Sequence, residues 1–128
     1  MTDAEKATFF IEQVKKRLTA LVDNRAFVFR DTTVKDAEAY LNYKKTFEGL
    51  EEEQVSLLEF ELGVEFPTLF RTFLREIGLS CGLVFTGSDC SPKDYPSFLE
   101  AAADLVAQSG LELFLTDKSV VFLIHQGY

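Results

Sequence analysis

Apolar positions between Glu51 and Gly78 recur at helical spacing in two successive segments. This pattern predicts two helices that share a tight corner, with both apolar faces in one core. The apolar positions are Val55, Leu58 and Leu62 in the first segment and Phe70, Phe73, Leu74 and Ile77 in the second. Gly63 favours a left-handed end to the first helix, Pro67 suits the first turn of the second, and Gly78 is expected to end it as Gly63 ends the first. Among these residues, Leu62 and Phe73 are expected to be core residues.

The N-terminal segment predicts another amphipathic helix. Thr2 and Glu5 match the S/T-x-x-E capping box, in which each side chain satisfies a backbone N–H of the first turn. The helix is expected to run to about Val22. Its predicted core face consists of Phe10, Val14, Leu18 and Leu21, and its predicted outward residues are Glu12, Lys15, Lys16 and Arg17.

The rest of the chain predicts a mixture of short strands and helices. Alternation predicts a strand at 27–30, and helical spacing predicts a helix from 33 to about 47. A short buried strand is expected at 82–87, before a turn-rich loop at 87–96. A helix is expected to start at Pro96 or Ser97 and to end at Ser109 and Gly110. Its predicted inner face is Phe98, Ala101, Ala102 and Leu105. The segments 111–115 and 120–124 predict a β-hairpin around the turn TDKS, with its second strand central in the sheet.

Several strings together resemble the SUKH superfamily, which includes fungal cell-wall-assembly regulators of the SMI/KNR type and bacterial toxin immunity proteins. The strings are LGVEFP, REIG, GLVFTG, DYPSFLEAAADLV and VVFLIHQGY, and the resemblance covers residues 48–128. It implies an α+β fold in which several helices pack an antiparallel sheet, as a single domain over 1–128. Residues 1–47 would add the N-terminal helix, a short strand and a second helix. The positions that match the family's structural motif are Gly63, Pro67, Phe70, Phe73, Leu74, Gly78, His125, Gly127 and Tyr128.

The resemblance also bears on the sheet edge. Family members normally add another aromatic-rich strand after the position of Tyr128. We therefore expect an exposed strand edge, and a monomer or a weak dimer that pairs through this edge.

Composition narrows the possible partners and the compartment. The 13 Lys and Arg against 21 Asp and Glu give a net charge of −8, which disfavours nucleic acid and anionic lipid. The apolar share of 47 % predicts one globular domain. No basic leader or membrane-spanning run is apparent, and Cys81 and Cys90 form no CxxC pair, so we expect ordinary thiols and a cytoplasmic location.

Catalytic and metal chemistry find little support in the sequence. One His and two separated Cys predict neither a metal site nor a bound cofactor. Ser88, Asp89 and His125 could nominally form a catalytic triad, but no GxSxG elbow is present and nothing in the sequence places the three together. His125 is more typical of a hydrogen-bonded turn residue, so a hydrolase that uses it ranks third among the hypotheses and we predict that the protein is not an enzyme.

A run of glutamates in the central segment is the main candidate for partner binding. No Lys or Arg interrupts Glu48, Glu51, Glu52, Glu53, Glu59, Glu61 and Glu65. A charge run is usually a solvated face, and the helix dipole accounts for carboxylates in a first turn, but not for Glu59, Glu61 and Glu65. The predicted partner-binding residues are Glu51, Glu52, Glu59, Glu61 and Glu65, with Asp89 and Asp94 from the loop at 87–96.

The resemblance implies a function for this acidic surface. It implies an immunity protein that binds and neutralises a cognate toxin domain of the nuclease or deaminase type, a partner that is often basic. An intracellular regulatory scaffold, like the fungal relatives, is the alternative.

Overall fold

The computed structural model describes residues 1–23, 38–39, 42–81, 88–110 and 115–125. Within these residues, four helices have defined bounds: α1 (Asp3–Asp23), α2 (Glu52–Leu62), α3 (Thr68–Ile77) and α4 (Tyr95–Gln108). The described part of the chain also contains four two-residue strands, β1 (Phe47–Glu48), β2 (Ser80–Cys81), β3 (Ser88–Asp89) and β4 (Ile124–His125). A 3₁₀ turn at Pro92–Asp94 precedes α4, and residues 38–39 and 42–43 are also helical.

The predicted α+β fold is wrong, because the protein is mostly helical. In the described residues the strands form two separate antiparallel pairs, β1 with β2 and β3 with β4. Residues 120–123 are not the central strand that was predicted. Val120, Val121 and Leu123 are only half-buried and Phe122 is 44 % exposed, so this apolar run is not covered on both sides.

Other predicted elements have different outcomes. The turn of the TDKS segment is confirmed, since the Ser119 N–H donates to the Thr116 carbonyl at 3.1 Å. The helix predicted to reach residue 47 ends earlier, because Phe47 begins β1. The strands predicted at 27–30 and 82–87, and the first strand of the hairpin over 111–114, lie outside the described residues.

The chain divides into two compact units, each built from two segments. Unit 1 consists of Met1–Leu50 and Pro67–Thr86, and unit 2 of Glu51–Phe66 and Gly87–Tyr128. In unit 1, α1 packs against α3 with the two helices running in the same direction. The first turns of both helices line one open groove of about 410 Å³, and Lys15 further along α1 contacts Glu76 near the end of α3. The buried side chains of this unit include Ala7, Ile11, Leu18, Leu74 and Ile77.

Helix α1 begins as predicted but buries a different stripe. The Thr2 N–H donates to Glu5 Oε2 at 2.9 Å and the Glu5 N–H donates to Thr2 Oγ1 at 3.1 Å, which confirms the capping box. Phe10 and Leu21 were predicted to face the core but are 53 % and 49 % exposed. The buried stripe runs instead through Ala7, Ile11 and Leu18. Lys15, predicted to face outward, is also partly buried.

The segment around β1 packs its backbone directly on the end of α3. The Leu50 N–H donates to the Leu74 carbonyl at 2.8 Å, and the Leu79 N–H donates to the Glu48 carbonyl at 2.9 Å. A Cβ atom on Gly49 would lie 1.8 Å from the carbonyl oxygen of Arg75, a distance that no side chain can occupy. Glycine is therefore required at this contact.

The predictions for α3 are confirmed in part. Leu74 and Ile77 are buried, whereas Phe70 and Phe73 are half-buried and stack on each other with their ring centroids 5.8 Å apart. Phe73 is thus not the core residue that was predicted. Gly78 does follow the last helical residue, but its φ of −66° is right-handed, so the left-handed end predicted for it is wrong.

Unit 2 contains α2, the 3₁₀ turn and α4. Gly63 ends α2 with a φ of 67°, which confirms the predicted left-handed cap. Val55 and Leu58 are buried as predicted, but Leu62 is only half-buried, because it lies in the last turn of the helix.

Helix α4 is confirmed and starts one residue earlier than predicted. Pro92, Tyr95 and Phe98 are buried at its start, so the predicted loop is held by an apolar contact at this point. Leu105, predicted to face inward, is 50 % exposed.

Candidate protein-binding surface on helix α2

Helix α2 carries the acidic run and is stabilised locally at its first turn. Gln54 Oε1 accepts a hydrogen bond from the Glu51 N–H at 2.8 Å, which satisfies one backbone group at the start of the helix. Glu52 and Glu53 lie in the first turn, where the partial positive charge of the helix dipole favours carboxylates. These residues therefore contribute to helix formation whatever else they do.

Apolar side chains occupy two opposite sides of α2. Val55 and Leu58 are 0 % and 5 % exposed, so one side of the helix is buried. Leu57 is 57 % exposed and Phe60 is 84 % exposed, the largest exposed fraction among the large apolar side chains of the described residues. Residues three apart are neighbours on a helix surface, so Leu57 and Phe60 form one apolar patch on the exposed side.

Carboxylates lie on either side of this patch along the helix. Glu53 precedes Leu57 by four residues and Glu61 follows it by four, so both share its face, and both are exposed. We call the four residues Glu53, Leu57, Phe60 and Glu61 the α2 outer face. Glu65, after the end of the helix, is also exposed. The sequence has no Lys or Arg between Lys45 and Arg71.

Glu59 is separated from the other acidic residues by its structural role. It is half-buried, and its Oε2 accepts a hydrogen bond from the Phe66 N–H at 2.6 Å. This bond holds the chain that follows α2 against the helix, and Phe66 itself is buried. The structure therefore gives a reason for a carboxylate at position 59, which the helix dipole does not account for.

The two predicted aspartates belong to the segment that leads into α4. Asp94 is half-buried at the N-cap position of α4, and its N–H donates to the Ser91 carbonyl at 3.0 Å. Asp89 lies in β3, where it pairs with Ile124. Both residues are thus placed by secondary structure rather than on a free loop.

The register of β3 and β4 bears on the nominal triad. Ser88 pairs directly with His125, so the fold does bring these two positions together. Asp89 pairs with Ile124 in the same register. The pairing of Ser88 with His125 is not by itself evidence for a catalytic triad, which also requires an aligned acid as third member.

The family-motif positions have mainly structural places. Pro67 is exposed at the N-cap of α3, Gly63 and Gly78 follow the ends of α2 and α3, and His125 lies in β4. Gly127 and Tyr128 lie outside the described residues, as does any pairing of the strand edge predicted there.

Within the described ranges the structure offers few other chemical sites. No group of three His, Cys, Asp or Glu side chains in these ranges could hold a metal ion. Cys90 is a half-exposed free thiol. Among the described helices, none combines the length and the apolar character that a membrane span requires. The expectations of no metal and no cofactor stay predictions.

The chain was also compared with known proteins. Family models, characterised proteins and solved structures gave no match. The resemblance to the SUKH superfamily thus gains no support from these comparisons, and the candidate site is defined by the chain's own surface.

Leu57 and Phe60 are the residues that sequence reasoning missed. Their signal was present, because α2 contains more apolar residues than one buried face can hold. With Val55, Leu58 and Leu62 assigned to the core, Leu57 and Phe60 remain on the other side of the helix.

Proposed function

We propose that this protein is a non-catalytic binding module that uses the α2 outer face to bind a basic protein. In its more specific form, it is a cytoplasmic immunity protein that neutralises a bacterial toxin domain of the nuclease or deaminase type. The resemblance over residues 48–128 supports the specific form. The exposed surface of α2 supports the binding role independently of that resemblance.

The observation that carries the proposal is an exposed aromatic side chain between carboxylates. Phe60 is 84 % exposed beside the half-exposed Leu57, and Glu53 and Glu61 share their face. Exposed apolar patches with a polar rim are typical of protein-binding sites, and aromatic residues are enriched among those that dominate binding energy. The carboxylates and the net charge of −8 favour a partner of opposite sign.

Charge also connects this surface with neutralisation of a toxin. A nuclease or a nucleic-acid deaminase must attract phosphates, and for this it needs Lys and Arg around its substrate cleft. An acidic helix that binds these residues would occupy the position of the phosphates and exclude the substrate. Inhibition then requires no chemistry from the bound protein.

A rescue experiment tests the specific form. Cells that express an inducible toxin domain of each type would carry the wild-type protein or the double variant Glu53→Lys, Glu61→Lys. The matched control is Glu100→Lys, Asp104→Lys, because these two residues are exposed on α4 and the variant changes the net charge by the same amount. Wild type and the control should restore growth, and the α2 variant should not.

Association kinetics with the toxin domain from which the protein rescues cells test whether the glutamates take part in binding. Charge reversal on α2 should slow association and flatten its dependence on salt, because steering between surface charges is screened beyond about 8 Å at physiological ionic strength. Equal rates for both variants would mean that the glutamates are only a solvated face. Binding of a cellular protein without rescue from any toxin domain would instead favour the regulatory scaffold.

A further inference from the structure

We infer that Leu57 and Phe60 are the apolar anchor of this interface, and that the partner offers an apolar groove bordered by Lys or Arg. The inference rests on the proposed binding role of α2, but not on the partner being a toxin. It assigns the contact that limits dissociation to two apolar residues that lie within the acidic run.

The position of α2 makes these side chains a preformed binding element. Val55 and Leu58 are buried on the opposite side, and Gly63 and the Glu59–Phe66 hydrogen bond fix the end of the helix. A helix that is already folded and held does not need to be ordered on binding, which removes part of the entropic cost. Helices that insert apolar residues into a groove are a recurrent mode of protein recognition.

Charge decides which occupant this face accepts. A second copy that packed its α2 on the first would bring Glu53 and Glu61 of both copies together, and like charges at an interface are unfavourable. An anionic membrane would be repelled in the same way. A basic partner gains from the same carboxylates, so we commit to a basic protein surface.

The two kinds of residue would act on different rates. Carboxylates at the rim act over a distance and mainly change the association rate. Leu57 and Phe60 act only in contact, and their removal should mainly raise the dissociation rate. Truncation of Phe60 should therefore weaken binding with little change in its salt dependence, the reverse of the charge variants.

Three synthetic helical peptides of about 20 residues provide a test that needs no natural partner. The first carries a Leu and Phe stripe with Lys and Arg beside it, the second carries the same cations with Ser and Gln in place of the stripe, and the third carries the stripe with Glu beside it. Each is titrated into ¹⁵N-labelled protein, and amide shifts report the site. The variants are Phe60→Ser and, as a matched control on α1, Phe9→Ser, since Phe9 is 58 % exposed.

The first peptide should bind most tightly and shift amides around Leu57, Phe60 and Glu61. Phe60→Ser should weaken it about tenfold or more, whereas Phe9→Ser should leave it unchanged. Thermal melts of both variants should match wild type, because both side chains are exposed. The inference is overturned if the purely cationic peptide binds as tightly as the first, if Phe60→Ser has no effect, or if the shifts lie in the groove around Phe10 and Leu69.

The outcomes also distinguish this inference from the proposed function. Peptide binding at α2 without rescue from any toxin domain would keep the anchor and reject the immunity role. Rescue that survives Phe60→Ser, with no peptide binding, would keep the immunity role and reject the anchor.

Discussion

Lys15 on α1 and Glu76 on α3 form an ion pair across 61 positions of sequence, with 2.7 Å between Nζ and Oε2. Lys15 Nζ also lies 3.1 Å from Glu12 Oε1 and 5.9 Å from the centre of the Phe47 ring. Its side chain is only 20 % exposed. One ammonium group thus links α1, α3 and β1 within unit 1.

Replacing this lysine should destabilise the protein measurably. Lys15→Met keeps much of the aliphatic stem but removes the charged hydrogen bonds, and we expect a loss of about 1–3 kcal/mol in the free energy of unfolding. Lys16→Met is the control, since Lys16 is exposed on the same helix. Urea denaturation followed by circular dichroism measures both. Equal midpoints for the two variants would show that the ion pair contributes nothing to stability.

The same group predicts a dependence of stability on pH. Partial burial alone lowers the pKa of Lys15, but hydrogen bonds and charges from Glu76 and Glu12 outweigh it and raise the pKa above the ordinary 10.5. A folded-state pKa above the unfolded one means that the stabilisation is complete below pH 10.5 and is lost as pH rises through the raised value. The stability difference between wild type and Lys15→Met should be constant from about pH 7 to 9 and should shrink above 10.5. A difference that grows with alkaline pH would contradict this.

Gly49 should tolerate no side chain. Gly49→Ala places a Cβ in the position of the Arg75 carbonyl oxygen, so β1 must move away from α3, and we expect a loss of about 3 kcal/mol or more. Gly63→Ala is an informative comparison, because its φ of 67° is unfavourable for alanine but nothing lies within 4 Å of the added atom. That substitution should lose only about 1–2 kcal/mol. Thermal melts of the two variants measure both losses. A larger loss of stability for Gly63→Ala than for Gly49→Ala would contradict the close contact at Gly49.

Leu74 rather than Phe73 should dominate the stability of α3. Leu74 is 0 % exposed, and Leu74→Ala should lose about 2–5 kcal/mol through the transfer and cavity terms. Phe73→Ala should lose less, although phenylalanine is larger, because Phe73 is only half-buried and stacks on Phe70. Chemical denaturation of both variants tests the order. A larger loss of stability for Phe73→Ala than for Leu74→Ala would instead support the prediction from the sequence that Phe73 is a core residue.

Glu59 and Glu61 should differ in what they contribute. Glu59→Ala removes the acceptor of the Phe66 N–H, and we expect a loss of about 1.5–3 kcal/mol. Glu61→Ala makes the same chemical change at an exposed position and should stay within about 0.5 kcal/mol of wild type. Hydrogen exchange at the Phe66 amide should accelerate in the first variant only. Similar melts and similar exchange would mean that the 2.6 Å hydrogen bond has no structural role.

Two local signals at helix ends were read correctly from the sequence because they depend on neighbouring residues. The Thr2 and Glu5 capping box and the left-handed Gly63 each involve atoms within one or two turns of helix. Core positions were read less well. In α1 the spacing predicted that Phe10 is buried, but small Ala7 is buried instead, since close packing against α3 favours a small residue there.

The sheet could not be predicted from the sequence because strand pairing depends on distant partners. The apolar run at 120–124 has the composition of a central strand, yet among the described residues of this segment only Ile124 and His125 form a strand, which pairs with Ser88 and Asp89. The acidic part of the candidate site was visible in the sequence. The separate role of Glu59 was not, because it depends on where the chain after Gly63 returns to α2.

The interleaved construction of the two units has a consequence for synthesis of the chain. Unit 1 ends its first segment at Leu50 and resumes at Pro67, so α1 must wait for α3 while the α2 segment of the other unit emerges between them. Contacts between residues that are far apart in sequence form slowly, because bringing them together costs the entropy of closing the loop between them. On a ribosome, α1 would remain without its partner until about residue 77 has left the exit tunnel. Neither unit corresponds to a continuous fragment, so neither can complete its contacts before part of the other unit has been synthesised.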